Sequence, residues 1–89
     1  MSQPIYIVLF RPCETYGIVF VWGKLINSYS SNIGYVWTVE IKDYSSNSLF
    51  DLGYRIGRTV QFGTNNRFSV YYEGNENKAE DKYRNSIFT

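Results

Sequence analysis

The stretch Tyr35-Val36-Trp37-Thr38-Val39-Glu40-Ile41-Lys42 decides the fold class. Tyr35, Trp37, Val39 and Ile41 fall on one side of an extended chain, and Val36, Thr38, Glu40 and Lys42 on the other. A period of two marks a half-buried strand, because successive side chains of a strand point to opposite faces. The composition agrees. Val, Ile, Thr, Tyr, Phe and Trp fill 37 of the 89 positions, against four leucines and one alanine, Ala79, so strand formers displace helix formers. The chain reads as all-β.

Upstream, Ile5-Tyr6-Ile7-Val8-Leu9-Phe10 lies between Pro4 and Pro12, a residue type confined to strand ends and edges. Residues 16–22 form a second predicted strand. Both are continuously apolar, which points to burial on two faces and leaves open whether Ile5, Ile7 and Leu9 or Tyr6, Val8 and Phe10 turn inward. Residues 27–34 and 43–48, rich in Ser and Asn, read as loops. Leu49, Phe50 and Leu52 follow as a short apolar cluster, either a helical turn or a partial strand. Residues 58–62 and 67–72 are predicted to pair as a hairpin across Gly63-Thr64-Asn65-Asn66, whose residues tolerate positive φ. Residues 75–85 carry six charges. The spacing of Ala79 with Tyr83, Glu80 with Arg84, and Asn77 three before Glu80 predicts a short capped surface helix or a solvated tail.

Eighty-nine residues make one domain. Five strands within residues 1–74 predict a small five-stranded barrel, OB-like or with SH3-like as the alternative. Residues 75–89 form a polar C-terminal segment. Closure or near-closure is expected because it removes edges that such apolar strands would leave sticky.

The residue inventory excludes several chemistries. With no histidine there is no Ser-His-Asp or Cys-His pair. The lone Cys13 leaves no zinc ligand set and no intrachain disulfide. No catalytic residue, metal or cofactor is therefore expected. The longest apolar run, residues 5–10, is far short of the ~20 needed to span a bilayer and too short for a signal-peptide core, so a cytoplasmic protein without membrane contact is expected.

A spacing match adds a family resemblance. Phe10-Arg11-Pro12-Cys13-Glu14-Thr15-Tyr16-Gly17-Ile18-Val19 sets a strand-ending Phe six residues before an aromatic-Gly pair, and Gly57-Arg58-Thr59-Val60-Gln61-Phe62 follows a Gly-x-x-Val-x-Phe pattern. In both respects the chain resembles the cold-shock domain, an OB barrel that binds single-stranded nucleic acid. Asp43-Tyr44-Ser45 stands where that family has His-aromatic-Ser. Leu9, Thr15 and Ile18 depart from the family's Trp, Gly and base-stacking Phe, and residues 25–34 form an extra loop.

Single strands need aromatic faces for bases and cations for the backbone. The residues expected to supply them are Tyr6, Tyr16, Tyr35 and Tyr72 with Arg11, Arg58 and Arg67. Charge supports this weakly, with six basic against four acidic residues before position 73. Tyr16, Phe20, Trp22, Trp37 and Phe62 also read as core. The alternative is a protein-binding inhibitor or adaptor, of the kind mobile elements and phages carry, acting through a surface rich in tyrosine and serine, with homodimerisation through an exposed strand.

Overall fold

The computed structural model describes residues 3–14, 17–32, 34–46, 54–56 and 59–87. The chain forms β1 (Tyr6–Cys13), β2 (Gly17–Ser31), β3 (Gly34–Tyr44), β4 (Tyr54–Ile56) and β5 (Thr59–Gly63). A 3-10 turn (Thr64–Asn66), β6 (Ser69–Gly74) and α1 (Glu76–Ile87) follow. All six strands join one antiparallel sheet in the order β4-β5-β3-β2-β1-β6. The all-β class is as expected, but the strand number and the closure expected of a five-stranded, closed or nearly closed barrel are corrected. Among the described residues the sheet has six strands and is open, ending at β4 and β6.

The continuous apolarity of the first two strands is explained by two cores, one on each face of the sheet. Ile7 and Leu9 of β1, Val19 and Val21 of β2, Trp37 and Val39 of β3, Val60 and Phe62 of β5, and Phe68 form the first. Val8 and Trp22 point the other way and meet Ala79 and Tyr83 of α1 in the second. Both candidate inward sets of β1 are thus used. The clean alternation of β3 also survives, with Trp37 and Val39 buried and Tyr35 at the exposed end.

Three sequence expectations fail for local reasons. Residues 27–34 are mostly strand: β2 and β3 pair out to Ser31 and Gly34, so their Ser and Asn side chains sit on an exposed ladder. The predicted hairpin of residues 58–62 with 67–72 does not form. β5 pairs with β3 and β4, and β6 pairs with β1. The 3-10 turn and Arg67, left-handed at φ 73°, redirect the chain so that Phe62 and Phe68 meet with centroids 4.6 Å apart. The helix forms but is capped two residues earlier than read, at Asn75 rather than Asn77, since the Lys78 N–H donates to Asn75 Oδ1 at 2.9 Å. It is also docked rather than purely superficial, with Ala79 and Tyr83 almost fully buried. The cluster at Leu49, Phe50 and Leu52 lies outside the described residues.

Candidate interaction surface

Of the seven residues expected to bind nucleic acid, five are described, and these five do not all lie together. Tyr6 and Tyr72 are half-buried against the cluster under α1. The Tyr6 ring lies 6.0 Å from Trp22, and the Lys82 ammonium sits 5.9 Å above the Tyr72 ring. They help to wall the second core. Tyr16 and Arg58 lie outside the described residues.

Arg11, Tyr35 and Arg67 do converge, around the 3-10 turn. Arg11 Nη1 donates to the Asn66 carbonyl at 2.7 Å, the Arg67 N–H donates to the Thr64 carbonyl at 2.9 Å, and the Tyr35 N–H donates to Thr64 Oγ1 at 3.1 Å. The Tyr35 ring is 59% exposed and lies nearly parallel to Trp37, at 6.3 Å and 17°. Trp37 is thus both a core residue and the floor beneath an exposed ring.

A second feature was not singled out as a site. Antiparallel pairing sets Phe10 opposite Phe20 and Pro12 opposite Ile18, so these four share the face that α1 partly covers. On the β6 side the register moves from Val8↔Tyr72 to Leu9↔Val70, which leaves Tyr71 as the extra residue of a bulge. Its ring turns onto the other two, edge-on, at 6.1 Å from Phe10 and 5.7 Å from Phe20, and those two lie 6.1 Å apart. Phe20 also packs against the cluster under α1, so the rings continue the helix-covered face beyond the helix. Tyr71 and Ile18 remain 50% and 56% exposed, and none of the five residues is charged. The i,i+2 spacing of Phe10 with Pro12 and of Ile18 with Phe20 was a visible signal, whereas the bulge that recruits Tyr71 was not.

Between α1 and the sheet lies a polar cavity of about 320 Å³ lined in part by Lys42, Asp43, Glu76, Glu80 and Arg84. The Tyr83 hydroxyl lies against the Asp43 carboxylate there. Burial first, and the Asp43 charge second, push the phenol well above its ordinary 10.0. It therefore stays protonated and acts as a strut joining the helix to β3. Among the described residues no three acidic or cysteine side chains cluster as a metal site, and no helix is long and apolar enough to cross a membrane. No protein-family model, curated protein or solved structure matches the chain.

Proposed function

We propose that the chain is a non-enzymatic protein-binding module, an adaptor or inhibitor whose contact face is the ring patch of Phe10, Phe20 and Tyr71 bordered by Pro12 and Ile18. The observation that carries this is the exposure of a contiguous, uncharged aromatic surface on a sheet face the helix leaves open. Aromatic rings give a partner large contact area at little entropic cost, and a patch without charge suits an apolar counterpart. The order β1-β2-β3-β5 is that of a meander, and the last strand of the chain, β6, returns beside β1. With a 3-10 turn before that last strand, this favours the SH3-like over the OB-like form of a small, open barrel.

The test is capture from native extract of the source organism. A chain that co-purifies after nuclease treatment, and is lost when Tyr71→Lys is used as bait, is the expected result. Retention by Tyr71→Lys would remove the patch from the interface.

One observation favours a second reading, single-stranded nucleic acid. The Arg11 guanidinium, the exposed residue Arg67 and an exposed tyrosine stacked on Trp37 adjoin the same turn. This keeps the functional side of the cold-shock resemblance, but at Tyr35, Arg11 and Arg67 alone of the described candidates. Trp37 reports on it directly. Titration with a mixed-sequence oligonucleotide at low salt quenches its fluorescence if a base stacks on Tyr35, and unchanged emission at high micromolar oligonucleotide discards the reading.

A further inference from the structure

The backbone edge of β2 carries an inference separate from the ring patch. β1 pairs with β2 only between Gly17 and Lys24, followed by one more bond, from the Leu25 N–H to the Ile5 carbonyl at 2.8 Å. Pro4 has no N–H with which to continue that ladder. On its other side β2 is accompanied by β3 out to Ser31. Among the described residues, 26–31 therefore have a strand on one side only. On the open side lies a shallow cleft of about 480 Å³, bordered by Pro4, Ile5, Ile26 and Ser28, with Lys24 as its charged lining residue.

Natural sheets blunt their edges with charge, proline or short length. The terminal strands of this sheet do so: β4 has three residues, and β6 carries Glu73. The overhang of β2 does not. No charged residue occurs between Lys24 and Glu40, and those two face each other across the β2–β3 ladder. Ile26 and Tyr29 stand 51% and 49% exposed along it.

We propose that a second copy of the chain occupies this edge, its own residues 26–31 running antiparallel so that two sheets join across a two-fold axis. Only alternate residues of a strand turn their N–H and C=O to a given side, so two identical antiparallel edges match when the axis passes through a residue. Ser28 and Tyr29 are the central positions. An axis at Ser28 sets Asn27 of each copy against Tyr29 of the other. The two Lys24 side chains then stand roughly 26 Å apart, beyond the screening length at physiological salt. Lys24, at the near end of the edge, already stands opposite Glu40 across the ladder, and residues 26–31 offer a charged peptide no counter-charge, whereas their uncharged twin leaves no charge unpaired.

Sedimentation velocity from low micromolar to millimolar protein tests the proposal. The wild type is expected to form a dimer that dissociates on dilution. Ser28→Lys with Tyr29→Lys is expected to raise the dimer Kd about tenfold or more, because like charges then face each other. Tyr71→Lys should leave it unchanged. A wild type that stays monomeric at millimolar concentration overturns the proposal, as does a dimer that survives the two lysines. Should the double variant fail to fold, amide exchange on the wild type replaces it. Protection at residues 26–31 that rises with protein concentration is expected, and concentration-independent protection contradicts self-pairing. Because Tyr71 and Ser28 lie on different parts of the sheet, loss of the dimer and loss of the captured partner can be told apart.

Discussion

Gly23 shows how closely β2 and β3 approach. A Cβ there would collide with the Glu40 carbonyl, at the point where the β2–β3 register shifts after Trp22. Gly23→Ala must move backbone, and chemical denaturation should show a loss of about 1–3 kcal/mol. Tyr83 gives a pH prediction of definite sign. Its folded pKa lies above the ordinary 10.0, so the stability it contributes is full below pH 10.0 and is lost as pH rises toward the folded value. Thermal unfolding of the wild type should therefore be insensitive to this group at neutral pH and fall in alkali. Tyr83→Phe, which cannot ionise, should remove that part of the alkaline fall at a cost of about 0.5–1.5 kcal/mol at neutral pH for the lost hydrogen bond. An identical alkaline profile for the two proteins would contradict the strut role.

At the scale of elements, α1 depends on its cap and on two buried side chains, Ala79 and Tyr83. Asn75→Ala removes the acceptor for the Lys78 N–H and should cost about 1 kcal/mol, read as a lower melting temperature with unchanged sheet signal. The Glu80–Arg84 pair, at 2.8 Å, is exposed on both sides and screened by salt, so it steadies the helix without anchoring it. The anchoring role was hard to see in the sequence. Ala79 and Tyr83 are the only residues of α1 that bury fully, and around them six charged side chains read as a solvated segment. The strands were easier, because alternation at residues 35–42 and two-sided apolarity at residues 5–10 leave few alternatives. What sequence could not show was how far they run. Polar residues such as Ser28 and Ser30 satisfy a ladder as well as apolar ones do, so β2 continues through what composition marks as loop. The false hairpin has a similar origin. Gly63 to Asn66 has turn chemistry, but that chemistry serves a 3-10 turn leading across the core to β1.

For the whole molecule, one open sheet is buried on one face by its own curl and on the other only partly by α1. The uncovered remainder is where function is assigned: rings at one end of the β1–β2 pair, a bare backbone edge at the other end of β2, and the Tyr35 turn on a third side. Tyr6 and Tyr72, which the sequence offers as ring platforms, are half-buried against the cluster under the helix. Neither the bulge at Tyr71 nor the docking of α1 can be inferred from strand patterns. The central claim, that the ring patch is the contact surface for a protein, is tested most directly by titrating the captured partner against wild type, Tyr71→Lys and Arg67→Ala. Affinity should fall about tenfold or more with Tyr71→Lys and be unchanged with Arg67→Ala. The reverse pattern, loss with Arg67→Ala and none with Tyr71→Lys, would contradict the claim and move the site to the turn beside Tyr35.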